Sequence, residues 1–333
     1  MRVPRAEVNG PGASRTIVGV EPFDTGFGGG FQARADAPEA LACELVEDDG
    51  AFRVHSPAGA QRPRRLAFVD GTMRVEAGLT LTGEQGTVAG LAGSWGAGAV
   101  LVDGEQPLSF DQVAVGRSAI FTAGQRVELP PQSGGWSWEA DSITGTELEA
   151  ARERLRRRMR DTEADIAEGL SEKGWLTVID GPLHNIRRTR TLPIIGYVKT
   201  HHRPMLAPEA WTQVPRLSSG ERSGLFAMRD DLYGCYLRVG RPGPWAGPWA
   251  GIVRLEVPAG VGLGLAVEAA EAAASWLPAF ASAPHRDVRA PVNMAPVAGL
   301  ERHLHHLQGD PRLALRAVRA AVLELNRGAG EEA

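Results

Sequence analysis

The chain has 333 residues, 43% of them hydrophobic and 23% charged, which is an ordinary globular balance with enough length for a sizeable core in one large domain or two ordinary ones. A formal net charge of −4 excludes a uniformly cationic surface, so any nucleic-acid contact must use a local groove of positive charge. Two cysteines, Cys43 and Cys235, without a CxxC pair, argue against a disulfide framework and a zinc cluster and point to a reducing cytoplasm.

The opening run MRVPRAEVNG lacks the apolar core of a signal peptide. Residues 1–60 read as an irregular arm or small subdomain, with a glycine-rich loop at 27–35. The main domain is expected over 61–330. It begins with a short apolar strand, Leu66 to Val69, that ends at Asp70 with a turn at Gly71. A second strand is expected from Met73 and a third near Gly98 to Val102, followed by a β-rich insertion over 103–140. Thr146 and Glu149 have the spacing of a capping box for a long helix. Leu148, Ala151, Leu155, Met159, Ile166 and Leu170 form one face of that helix, and Gly174 ends it. The segments 175–180 and 192–200 are apolar strands, and SGLFAMR, YGCYLRV and GIVRLEV give three more. Two helical stretches close the chain, from Leu263 to about 281 and from Leu300 to about 326, the second broken near Pro311. The stretch 261–280 carries Glu268 and Glu271, so it reads as an amphipathic helix and not a membrane span. The order of elements predicts an α/β fold with a mixed sheet flanked by helices.

The acids stand at informative places in this order. Asp70 and Asp180 each follow an apolar strand, and Glu163 lies in the apolar stripe of the helix between them, four residues after Met159 and three before Ile166. An Asp before Gly is commonly a plain turn residue. Three converging carboxylates, however, repel one another unless a cation joins them. Hard oxygen ligands suit Mg²⁺ or Mn²⁺, and a pair of such ions can activate water and stabilise the leaving oxygen of a phosphodiester. The order strand-Asp, hairpin, helix-Glu, strand-Asp is that of the ribonuclease-H-like core, an argument by analogy. On the same helix, Asp161 and Asp165 lie roughly 160° round from Glu163 and compete only if the helix is rotated.

The blocks VDGT at 69–72, VIDGPL at 178–183, IIGYVKTHH at 194–202, GERSGLF at 220–226, YGCYLRV at 233–239 and VRLEVP at 253–258 resemble, in that order, those of the NurA nucleases. The resemblance covers roughly 64–325. It implies a ribonuclease-H-like core and a manganese-dependent nuclease that acts on single-stranded DNA and on duplex ends from the 5′ side. It implies a homodimer that docks on HerA, a hexameric DNA-translocating ATPase, in end resection for recombination repair, with phage defence as a further role. Carried over residue by residue, it assigns Asp70, Glu163 and Asp180 to the metals and Lys199 to phosphate contact or transition-state charge. It places Arg222 and Ser223 in a further block, and the expected DNA contacts are Lys199, His201, Arg222 and Arg157. The family's carboxy-terminal His is missing: RAPVNMAPVAGLE at 289–301 has Ala298 or Gly299 in its place. Asn293, Glu301 or a shifted His303 completes the site, or no residue does.

Six arginines in 152–160, Arg157 among them, read either as a phosphate-lined channel or as a solvated face paired with neighbouring acids. His201 and His202 follow Lys199 and are candidates for a phosphate contact. His303, His305 and His306 read as surface or interface residues. Trp211, Tyr233 and Tyr236 could stack on bases, though such residues are more often core. There is no GxxxxGK[ST] sequence, so ATP dependence would come from a partner. The expectation is a Mn²⁺- or Mg²⁺-dependent deoxyribonuclease. A catalytically degenerate DNA-binding module of a translocase and an RNA-directed enzyme of the same fold are the alternatives.

Overall fold

Leu66, Ala67, Phe68 and Val69 are all fully buried. Consecutive strand residues point to opposite faces, so a run like this requires layers on both sides of the sheet. The computed structural model has that arrangement. It describes residues 41–57, 63–83, 86–183, 186, 194–201, 203–228, 231–241, 243, 246–283 and 290–331. The expected loop at 27–35 lies outside them, as does His202.

In chain order the strands and helices are β1 (Val54–His55), β2 (Arg65–Gly83), β3 (Gly86–Asp103), β4 (Ser109–Phe121), β5 (Glu139–Ser142), α1 (Leu148–Glu172), β6 (Leu176–Asp180), β7 (Ile194–Val198), α2 (Pro208–Trp211), β8 (Arg222–Ser223), β9 (Phe226–Met228), β10 (Leu232–Arg238), β11 (Ile252–Pro258), α3 (Leu263–Trp276), α4 (Ala295–Gln308) and α5 (Pro311–Glu331). One mixed sheet runs β1-β8-β10-β11-β7-β6-β2-β3-β4-β5, with β9 on β10. β2, β6 and β7 are mutually parallel neighbours, and β2, β3 and β4 form a long antiparallel meander.

Helices cover the two faces separately. Ala67, Val69 and Ile179 pack with Ile166, Ala167 and Leu170 of α1. Leu66, Phe68 and Val178 pack with Ala266, Ala270 and Trp276 of α3 and with Leu300 and Leu304 of α4. Each such large apolar side chain contributes about 1.5–3 kcal/mol by leaving water. Among the described residues, no helix is long and apolar enough to cross a membrane.

Several expectations are corrected. β2 does not end at Asp70: it runs unbroken through Gly71 to Gly83, because β3 pairs with it along its whole length. The strands expected before and after the turn are one strand, and part of the expected insertion over 103–140 is β4 and β5 of the same sheet. The capping box does not form: α1 starts at Leu148, after an extended Glu147 with no side-chain cap. Of the stretch read as an arm or small subdomain, residues 41–57 are described and pack on the sheet. Leu41 and Cys43 donate backbone bonds to Pro204 and Met205, β1 pairs with β8, and Leu41, Leu45 and Phe52 join a core cluster.

Candidate metal centre

The register between β2 and β6 sets the site. Val69 is level with Ile179, so Asp70 and Asp180 emerge side by side. Both share the face of Phe68 and Val178, the one covered by α3 and α4. Glu301, on α4, approaches from that side. Oxygens of Asp70, Asp180 and Glu301 all lie within 4.8 Å of one another. Of the residues left open for the fourth place in the sequence, the structure brings Glu301 to the cluster. His303 instead stacks on Phe110, with ring centroids 4.3 Å apart. Asn293 is buried at the turn before α4, where its carbonyl accepts bonds from Ser282.

The orientation of α4 is fixed two helical turns further on. Gln308 Nε2 donates to the carbonyl and the hydroxyl of Thr72, each at 3.1 Å, and Thr72 is two residues past Asp70 on the same strand face. Arg74 and Arg117 donate to the carbonyls of Gly309 and Gln308, both at 3.1 Å. Seven residues are close to two turns, so Gln308 and Glu301 lie on one stripe of the helix.

Glu163 comes from the other face of the sheet, on α1, and is only 7% exposed. It stands over Gly71. Its pKa rises from 4.5 to about 8, first through burial and then through the charge of Asp180, with Arg160 acting in the opposite sense. Asp70 is pushed well above the usual carboxylate range. Burial is the main cause, followed by repulsion from Asp180 and Glu163 and, more weakly, Glu301; Lys199 opposes them. The Lys199 ammonium donates to Asp180 Oδ2 at 2.5 Å. Behind the cluster, Tyr197 is fully buried and donates to the Val292 carbonyl at 2.7 Å.

Four carboxylates against one lysine leave a negative excess in a mostly buried place. At 4.8 Å, two like charges cost about 3–4 kcal/mol for an effective dielectric near 20, a large share of a typical stability. Asp70 Oδ2 is buried and has no hydrogen-bond partner. An orphaned acceptor among like charges and an all-oxygen donor set fit a hard divalent cation. A second group, Glu47, Asp48 and His55, also has atoms within 4.8 Å of one another. Its acids already have partners: Arg222 donates to both oxygens of Glu47 at 2.8 and 2.9 Å, and His55 Nε2 lies 2.7 Å from Asp48.

The structure corrects two of the expected DNA contacts. Arg222 is fully buried and held by Glu47, Glu271 and the Ser223 carbonyl, so its guanidinium is a core ion pair. His201 is 1% exposed, with Nε2 3.1 Å from the Ile252 carbonyl and its ring against Tyr236 and Trp249. Trp211 and Tyr236 belong to the same aromatic core, and Tyr233 is half-buried against the main core. Arg157 is exposed but lies about 120° round α1 from Glu163. Arg154 and Arg158 are tied to Glu139 and Asp141 on β5. Arg160, one turn before Glu163, is the arginine whose charge reaches the cluster. Arg160 is one of the six arginines offered for a phosphate-lined channel, and its three-residue spacing from Glu163 is the signal that sets it apart from the other five; Gly71, expected as a turn, lies within β2.

No family model and no curated protein matches the chain. Among solved structures it is similar to the NurA nuclease from Sulfolobus solfataricus, at 11% identity over 83% of this chain and 88% of that one, with a TM-score of 0.42. The chemistry therefore rests on the residues of the site.

Proposed function

We propose that the chain is a divalent-metal-dependent deoxyribonuclease that hydrolyses phosphodiester bonds. The observation that supports this above all is the convergence of Asp70, Asp180 and Glu301, with an orphaned Asp70 oxygen among them, Glu163 near enough to raise the Asp70 pKa, and one lysine beside them. Asp70, Asp180 and Glu301 would hold the ion, and Glu163, on α1, would add a further carboxylate. Bound Mn²⁺ or Mg²⁺ supplies Lewis-acid polarisation of the phosphate and lowers the pKa of water at the site. Lys199, at the rim of the cluster and 12% exposed, brings a cation for a phosphate oxygen, and Arg160 adds a second. Loading the site requires Asp70 and Glu163 to give up the protons that burial favours, so metal binding and proton release are linked.

The finer reading follows the sequence blocks at 69–72, 178–183 and 194–202. It is cleavage of single strands and of duplex ends in the 5′ to 3′ direction by a cytoplasmic homodimer working with a HerA-type hexameric ATPase. Cleavage of end-labelled single- and double-stranded DNA in Mn²⁺, Mg²⁺ or EDTA tests it, with Asp70→Ala and Asp180→Ala beside the intact chain. Metal-dependent cutting that both substitutions abolish is expected, and the label position reads the polarity. A chain that binds DNA and never cuts, even with a translocase added, is a binding module and not a nuclease.

A further inference from the structure

We infer that Gly71 is a positioning residue for the metal centre: its missing side chain is the space in which the Glu163 carboxylate stands. The inference rests on the metal-dependent reading above. On the α1 face β2 presents Val69, Gly71, Met73 and Val75 in turn, while Asp70 presents to the opposite face. Glu163 therefore has to join the other acids from the wrong side of the sheet. A Cβ at position 71 would stand 2.5 Å from Glu163 Oε1, 2.6 Å from Met159 Cγ and 2.9 Å from the Gly96 carbonyl oxygen. Favourable non-bonded contacts begin nearer 3.5 Å, so a side chain there requires Glu163, Met159 and the Gly96 carbonyl to give way. The backbone does not ask for glycine at this point, since Gly71 is not among the positive-φ residues. Space, and not conformation, accounts for it.

Gly93 is an internal comparison. A Cβ there would meet Leu155 Cδ2 at 2.5 Å and the Arg74 carbonyl at 2.9 Å, much the same crowding against the same helix, but with an apolar partner. Both glycines let α1 lie close to the sheet, and only Gly71 opens onto a carboxylate.

The test is Mn²⁺ binding by titration calorimetry on the full chain. Wild type, Gly71→Ala, Glu163→Ala, the double variant and Gly93→Ala are compared, with circular dichroism to check folding. Gly71→Ala and Glu163→Ala are each expected to weaken binding about tenfold or more, as displaced ligands do. The double variant is expected to bind no more weakly than Glu163→Ala, because Gly71 acts through Glu163. Gly93→Ala is expected to lose melting temperature and keep its affinity. If Gly71→Ala alone does not fold, removing the colliding carboxylate in the double variant restores folding, since the Met159 chain is flexible enough to swing aside and the 2.9 Å approach to the Gly96 carbonyl is matched by that of Gly93→Ala to the Arg74 carbonyl. Gly71→Ala binding within about twofold of wild type, losses that multiply in the double variant, or failure of both to fold overturns the inference. Wild type that binds no Mn²⁺ overturns the metal-dependent reading itself.

Discussion

Glu163 carries a pKa near 8 because burial and Asp180 both disfavour its charged form. The sign of the consequence is fixed. Between the ordinary value of 4.5 and about 8 the folded chain holds a proton that the unfolded chain has lost. Glu163 therefore lends stability below pH 4.5 that is lost as pH rises through 8. Without metal, the melting temperature is expected to fall across this window. Glu163→Gln is expected to flatten that slope and to raise metal-free stability at pH 8 by something on the order of a few kcal/mol. Thermal melts in EDTA from pH 5 to 9 measure it; a variant with the wild-type slope would show that the proton sits elsewhere. Asp70, Asp180 and Glu163 could be picked out in the sequence because each follows or interrupts an apolar pattern. Glu301 could only be left among alternatives, since nothing next to it in the chain shows that α4 faces Asp70. Arg222 was misread for a similar reason: its partners Glu47 and Glu271 lie 175 and 49 residues away, and a buried guanidinium looks in sequence like an exposed one.

Elements hold these residues through a few long-range contacts. α4 is set on β2 by Gln308 on Thr72 and by Arg74 and Arg117 on the carbonyls at its end. Gln308→Leu leaves the buried Thr72 hydroxyl without this partner and is expected to cost about 1–3 kcal/mol. It is also expected to weaken Mn²⁺ binding by letting Glu301 turn away from Asp70. Melting temperature and metal affinity measured together separate the two effects; lower stability with unchanged affinity would mean that α4 does not need this anchor to place Glu301. The extent of α1 was readable from its apolar stripe and from Gly174, but its first turn was not, because Thr146 meets no free N–H. The expected break at Asp70 failed for a tertiary reason. An Asp-Gly pair favours a turn locally, but eighteen paired positions with β3 outweigh that preference.

At the scale of the molecule, one sheet spans the described part of the chain from β1 to β5, and the acids gather where β2 and β6 run parallel between α1 and α4. The alternation of strands and helices made an α/β chain with a mixed sheet legible. The order of strands was not, because it depends on which edges meet after the chain has crossed between faces. A net charge of −4 with a carboxylate-rich centre also means that an approaching phosphate backbone meets repulsion until a cation is bound. Among the described residues, two groups could in principle hold a metal, and the metal is assigned here to Asp70, Asp180 and Glu301. Crystals grown with Mn²⁺, measured at the manganese absorption edge, test that assignment directly. An anomalous peak is expected among Asp70, Asp180 and Glu301 with Glu163 beside it. A well-diffracting Mn²⁺ crystal with no peak there, or with its peak at Glu47, Asp48 and His55, would contradict it.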